Sequence, residues 1–146
     1  MIAALLPPGY ILTHKAPYLL NLGMTPKQEA YLLGILCSTI FDWCARTMVE
    51  INFTFDIFNN LPIPNPSEPN LHYTRLIEIS GRLAAIDSRY SSWAQKVEVP
   101  YGSVTTQIEK DNLIAELDAV TAHLYKLKKK DLSIIWDTFY QTRKTK

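Results

Sequence analysis

The side chains best suited to contacting a ligand lie in the first half of the chain, around the ends of predicted short strands. They are basic, amide and hydroxyl groups rather than paired carboxylates or a nucleophile beside a base. Arginine and asparagine can each form two hydrogen bonds with one base edge, guanine for arginine and adenine for asparagine. The candidates for such contacts are Lys15, Arg46, Asn52, Thr54, Asn59 and Asn60. Turn chemistry is the alternative, because loops favour Asn and Thr for local hydrogen bonds.

A second candidate set is basic and lies towards the C-terminus. Lys128, Lys129 and Lys130 follow the apolar pattern of a long predicted helix, with Lys126 just before them. Lysines at the C-terminal end of a helix complement its dipole, which is the structural explanation. Contact with nucleic-acid phosphates is the functional explanation. The positive charge is concentrated in the second half of the chain. Residues 70–146 carry twelve basic and nine acidic residues, whereas residues 1–69 carry three basic and five acidic residues.

No catalytic or metal-binding arrangement is recognisable in the sequence. His14, His72 and His123 are scattered and do not combine with the cysteines at the spacing of a zinc site. Cys37 and Cys44 stand seven residues apart in one helical pattern. That spacing is about 10 Å at the helical rise of about 1.5 Å per residue, which is too far for a disulfide. We therefore expect buried free thiols, no cofactor and no catalysis by this chain itself.

The composition is that of a folded chain of ordinary domain size. Of the 146 residues, 47% are hydrophobic and 20% are charged, which permits a buried core and excludes a disordered chain. No apolar run reaches the roughly 18 residues that a membrane-spanning helix requires, and the first ten residues lack the basic start of a signal peptide. We expect a cytoplasmic protein that makes no membrane contact.

The first half of the chain predicts short strands packed on one buried helix. Apolar runs at 2–6, 10–12 and 18–22, bounded by Pro or Gly, are typical of strands. The alternation of apolar and polar residues over 51–56 predicts a further strand. Between these strands, the sequence Thr-Pro-Lys-Gln from Thr25 is a strong helix start, and we expect one helix from there to about residue 48.

A proline-rich segment then divides this half from a helical one. In LPIPNP, residues 61–66, each proline fixes its φ at about −65° and disfavours helix in the residue before it. We expect a stiff, polyproline-like strut there. Beyond the strut, the apolar periodicity predicts a helix over 71–89 and a loop over 89–105.

The last part of the sequence predicts two more helices. Thr106 opens the first with a capping box, and Asp131 would cap a short last helix. The first of them carries a heptad-like seam suited to antiparallel pairing with the helix over 71–89. The residues of this seam are Leu113, Leu117, Val120, Leu124 and Leu127.

The predicted fold class is therefore α+β and predominantly helical. Short strands pack on a buried helix, and the Pro-rich strut leads to an antiparallel helical pair followed by a short last helix. The predicted units are residues 1–66 and 67–146, packed as one compact body.

Several stretches, taken together, resemble a known family. YLLGILCSTIFDWCARTMVEINFTFDIFNNLPIPNP, residues 31–66, resembles the closing part of the target-recognition region in type IIG restriction-modification enzymes and related N6-adenine DNA methyltransferases. IAALLPPGYILTHKAPYLL, residues 2–20, resembles the strand-rich stretch before it. ISGRLAAID, residues 79–87, and IAELDAVTAHLYKLKKKDLSIIWDTF, residues 114–139, resemble the helical C-terminal region of that family.

The resemblance implies a non-catalytic C-terminal fragment that contributes to DNA target recognition. The methyltransferase and nuclease domains of the parent protein would lie N-terminal to Met1 and would use S-adenosylmethionine. The partners would be those domains and double-stranded DNA. The seam leaves an alternative open, a helical protein-protein interaction module that pairs with a partner helix or forms a homodimer.

Overall fold

A computed structural model of the chain describes residues 3–7, 9–12, 18–20, 23–49, 54–65 and 70–144. Those residues contain seven α-helices and one 3-10 helix, Ser88–Tyr90. The α-helices are α1 Pro26–Cys37, α2 Thr39–Met48, α3 Phe55–Asn60, α4 Leu71–Ala84, α5 Ser91–Val97, α6 Gln107–Leu124 and α7 Lys129–Lys144.

The predicted α+β fold class is wrong, because the described residues form no strand and no sheet. Within the predicted N-terminal strands, residues 3–6, 10–12 and 18–20 are irregular chain. The carbonyl groups of residues 3 and 5 accept hydrogen bonds from helix-borne side chains, the Cys37 thiol and the Tyr90 hydroxyl. Helices thus supply the contacts that a neighbouring strand would otherwise make.

The end of the strand predicted over 51–56 is helical. Thr54 has an extended backbone and its hydroxyl accepts a hydrogen bond from the Ile57 N–H at 3.3 Å, so it caps a helix that begins at Phe55. Residues 51–53 of this strand lie outside the described residues, as do residues 2 and 21–22 of the others.

The single buried helix expected from residue 25 to about residue 48 is in fact two helices, broken at Ser38. The capping box at Thr25 is confirmed, and α1 begins directly after it. Ser38 is fully buried and has an extended backbone, with ψ at 149°. Its hydroxyl donates to the Ile35 carbonyl at 2.7 Å and accepts from the Phe41 N–H at 3.2 Å, so one side chain closes α1 and opens α2.

Asp118 of α6 completes the start of α2. Its carboxylate accepts hydrogen bonds from the Thr39 N–H and the Thr39 hydroxyl, each at 2.7 Å. A carboxylate is favoured at a helix N-terminus because the helix dipole is positive there, and hydrogen bonds to a charged acceptor are stronger than neutral ones. This contact joins α6 to the break between α1 and α2.

α1 and α4 approach each other closely at small residues. A Cβ placed on Gly34 would lie 2.9 Å from the Leu76 side chain and 3.2 Å from the Ser80 Cβ. At the same crossing, the buried Ser80 hydroxyl donates to the Ala30 carbonyl at 2.6 Å. The absence of a side chain at Gly34 therefore sets the separation of these two helices.

α4 also packs antiparallel to α6, as predicted. Arg75 forms a bidentate ion pair with Glu116, and both N–O distances are 2.7 Å. Further along the same two helices, Arg82 forms a second ion pair, with Glu109. The hydrogen-bonded Arg75 guanidinium holds the pKa of Glu116 below its usual range. Most of the seam is covered inside the chain, because Leu113, Leu117 and Val120 are buried and Leu124 packs at the edge of the same core.

The region between α4 and α6 is more helical than expected. α4 ends at Ala84 rather than residue 89, and the predicted loop contains most of the 3-10 helix and all of α5. α5 forms because Ala94 and Val97 bury one face against the core, where Val97 contacts Gly81 of α4. A short helix of this kind has a weak sequence signal and depends on its packing.

The proline-rich strut lies against the helices. Leu61 is buried in the main core, which includes residues from both predicted units. The Tyr125 hydroxyl donates to the Pro62 carbonyl at 2.7 Å, and the Tyr31 hydroxyl donates to the Pro64 carbonyl at 2.6 Å. Burial, with a smaller contribution from Tyr73, raises the pKa of Tyr31 to about 12.

We predict that Asp118→Ala lowers the free energy of unfolding by about 2–3 kcal/mol, because the N-terminus of α2 loses two charge-assisted hydrogen bonds. Denaturant unfolding followed by circular dichroism measures the change. Asp111→Ala is the control, because Asp111 lies on the same helix and accepts an exposed hydrogen bond from Gln107. Equal losses in the two variants would contradict the role given to Asp118.

We predict that Glu116→Gln lowers the stability by about 0.5–1 kcal/mol at neutral pH, a small value because the ion pair is partly exposed. The pKa of Glu116 is lower in the folded protein than in the unfolded chain, so the stabilisation is present above about pH 4.3. It is lost as the pH falls through the lowered pKa. Thermal unfolding at neutral and strongly acidic pH should show the difference between variant and wild type closing in acid. A difference independent of pH would argue against this ion pair.

Candidate nucleic-acid interface

Four lysines lie together at the junction of α6 and α7 and are termed the lysine corner: Lys126, Lys128, Lys129 and Lys130. All four are exposed. Within the described part of the chain none of them forms an ion pair. The corner therefore presents four ammonium groups that form no salt bridge with a described acidic side chain.

The position of these lysines relative to the helices differs from the prediction. α6 ends at Leu124 and α7 begins at Lys129, so Lys128, Lys129 and Lys130 stand at the start of a helix rather than at the end of one. Cations at a helix N-terminus oppose the dipole. The structural explanation, favourable placement at a helix C-terminus, therefore does not apply to these three residues.

Asp131 does not precede the last helix as a cap, and that helix is not short. Asp131 lies inside the first turn of α7, which is 16 residues long. Its carboxylate accepts a hydrogen bond from the Lys128 N–H at 2.8 Å. The Asp131 carboxylate thus caps a backbone N–H at the start of α7, next to the lysines.

A small apolar cluster holds the corner in place. Its buried members are Ile40 of α2, Ala122 of α6 and Ile135 of α7. Next to it, the Trp43 indole N–H donates to the Thr138 hydroxyl at 2.8 Å, which ties α2 to α7. The lysines therefore project from a fixed junction of three helices.

Arg46 lies where α2 meets α7. Its Nε donates to the Asp42 carboxylate at 3.0 Å, and its guanidinium carbon lies 5.5 Å from the centre of the Phe139 ring. Phe139 is ten residues after Lys129 on α7, which corresponds to about 15 Å along the helix. Arg46 of the first candidate set thus contacts the same helix whose start carries the lysines, which the sequence did not predict.

Among the described residues, no hydrogen bond or ion pair joins Thr54, Asn59 or Asn60 to Arg46. Thr54 caps α3, and the Asn60 side chain donates to the Asp56 carbonyl at 2.8 Å, so local helix chemistry explains both. Asn59 is exposed at the end of α3. Lys15 and Asn52 lie outside the described residues.

The structure also brings together two histidines that are far apart in sequence. His72 near the start of α4 and His123 near the end of α6 stack with ring centroids 4.7 Å apart and planes within 5°. No spacing rule links residues in different helices, so the sequence carries no signal for this pair. Within the described residues no group of three or more His, Cys, Asp or Glu side chains could hold a metal ion.

The two thiols are free, and they differ from the expectation in their burial. Cys37 is exposed and Cys44 is half-buried, whereas both were expected in the core. Partial burial raises the pKa of the Cys44 thiol. In the described part of the chain, no helix has the length and apolar character to cross a membrane.

Comparison with known proteins assigns no family to the chain. No protein-family model matches it, and neither curated proteins nor solved structures give a significant match. The resemblance to DNA methyltransferases stays a prediction based on the sequence stretches quoted above.

We predict that Arg46→Lys lowers the free energy of unfolding by about 0.5–1 kcal/mol, because lysine keeps the charge but loses the flat contact with the Phe139 ring. In a Phe139→Leu background the same substitution should have little effect, and this double-mutant cycle isolates the contact. An unchanged stability in the wild-type background would contradict a structural role for Arg46.

Proposed function

We propose that the chain is a non-catalytic, helical DNA-binding module that contributes to target recognition by a restriction-modification N6-adenine DNA methyltransferase. The observation that supports it best is the lysine corner, four exposed lysines without an acidic partner among the described residues. Grouped lysines that form no salt bridge within the described residues suit the phosphates of a nucleic acid. The resemblance of residues 114–139 to the family's helical C-terminal region supports the same conclusion.

In this proposal the lysine corner and the first-half candidates make different kinds of contact with DNA. Phosphate contacts set the position of a protein on the duplex, whereas contacts to base edges carry the sequence information. The lysine corner performs the first task. For the second we propose Arg46 and Asn52. Arg46 uses Nε for Asp42, and its two terminal nitrogens form no hydrogen bond with a described residue, so they are available to a guanine edge.

The alternative function is a helical interaction or dimerisation module. The α6 seam is already packed against α4, so a partner helix would need another surface. The observation that favours this alternative is the exposure of Leu132, Ile134 and Trp136 on α7, at 38%, 49% and 63%. Light scattering of the purified chain tests it, because a stable dimer would favour this alternative and a monomer would oppose it.

We predict that changing Lys128, Lys129 and Lys130 together to alanine weakens binding to duplex DNA to the same extent for all sequences. Each lost phosphate contact should reduce the slope of log affinity against log salt concentration by about 0.9. Fluorescence anisotropy with labelled duplexes of two different sequences, at two salt concentrations, measures both effects.

Lys96→Ala with Lys110→Ala is the control, because these exposed lysines lie on α5 and at the start of α6, away from the corner. An equal loss per lysine removed in the two sets would show that net charge alone matters. A wild-type chain that does not bind duplex DNA, or that binds duplex RNA of equal length more tightly, would overturn the proposed function.

A further inference from the structure

Lys126 occupies a backbone position that favours glycine. Its φ is 56°, in the left-handed region, where the Cβ of an ordinary residue is strained. Its N–H donates to the His123 carbonyl and the Leu127 N–H donates to the Ala122 carbonyl, both at 3.0 Å. These two hydrogen bonds form a Schellman motif at the end of α6, and glycine is the usual residue at the position that Lys126 fills.

The end of α5 has the same arrangement and provides a comparison within the chain. Glu98 has a φ of 70°, and the Val99 N–H donates to the Ala94 carbonyl at 3.0 Å. Glu98 and Lys126 are the only residues other than glycine with positive φ in the part of the chain that the structure describes. Glu98 has an evident structural partner, because its carboxylate pairs with Lys27 of α1 at 2.8 Å. Lys126 has no corresponding ion pair within the described residues.

The backbone on both sides of Lys126 is anchored. Leu127 packs on the cluster of Ile40, Ala122 and Ile135, and the Tyr125 hydroxyl donates to the Pro62 carbonyl. The exposed side chain of Lys126 therefore leaves from a fixed point, next to the three lysines at the start of α7. Backbone strain of this kind concentrates at functional positions.

We infer that Lys126 is a phosphate-binding residue of the lysine corner, kept in a strained position because the ammonium group is needed there. This inference rests on the proposed DNA-binding function and singles out one lysine of the corner, apart from the three at the start of α7. The ligand is the sugar-phosphate backbone of duplex DNA, so the contact contributes affinity without regard to base sequence.

Lys126→Gly tests the inference because it relieves the strain and removes the charge together. We expect a higher unfolding temperature, about a five- to tenfold weaker affinity for a mixed-sequence DNA duplex at about 0.1 M salt, and a salt slope reduced by about 0.9. A more stable variant that binds less tightly is the signature of a residue kept for binding.

Two control variants separate strain from charge. Glu98→Gly removes the same strain at the end of α5 and should not weaken DNA binding. Lys110→Ala removes the same charge near the other end of α6, about 20 Å away, and should leave the salt slope unchanged.

The possible failures are distinguishable. If the wild-type chain shows no salt-dependent DNA binding, the proposed function fails and the inference fails with it. If the wild-type chain binds and Lys126→Gly binds equally well, only the inference on Lys126 is overturned. An equal loss in Lys110→Ala also overturns it, because the effect would then be one of net charge.

Discussion

The arrangement of the helices depends on the break at Ser38. Without it, residues 26–48 would form one straight helix, and the face that packs on α4 could not also reach the end of α6. The buried hydroxyl of Ser38 satisfies groups on both sides of the break, and Asp118 binds the first residue of α2. α1 is then free to cross α4 closely at Gly34, while α2 turns towards α7. One polar junction thus directs two helices into different contacts.

The proline-rich segment shows how a chain without regular structure can be held firmly. Its prolines have no N–H, but their carbonyl groups can still accept hydrogen bonds. Tyr31 and Tyr125 supply these donors from α1 and from the end of α6. The segment therefore joins the first helices to the later ones, and Leu61 adds a side chain to their common core.

The charged side chains divide into those that form ion pairs between helices and those that form none. Along the α4 and α6 contact, arginines are matched with carboxylates, as at Arg75 and Glu116. At the lysine corner no described acidic side chain forms an ion pair, and the dipole of α7 is unfavourable for Lys128, Lys129 and Lys130. A surface that collects cations against its own electrostatics is more readily explained by an anionic partner than by stability.

The sequence alone determined the starts of α1 and α6, because the capping box at Thr25 and the side-chain cap at Thr106 act within one turn. It also determined the antiparallel pairing of α4 and α6 and the presence of a lysine cluster, since apolar spacing and charge are read directly from the residues. It did not determine the break at Ser38, because the stabilising partner of Thr39 is 79 residues away.

Tertiary structure likewise decided that the described parts of the short N-terminal apolar runs are irregular chain. In sequence, such runs look alike whether they pack against strands or against helices. It decided that the lysines begin a helix and that Lys126 adopts a left-handed conformation, because packing around Leu127 fixes the turn between α6 and α7. Local patterns report contacts within a turn or two of the chain, and these features depend on residues that only the fold brings together.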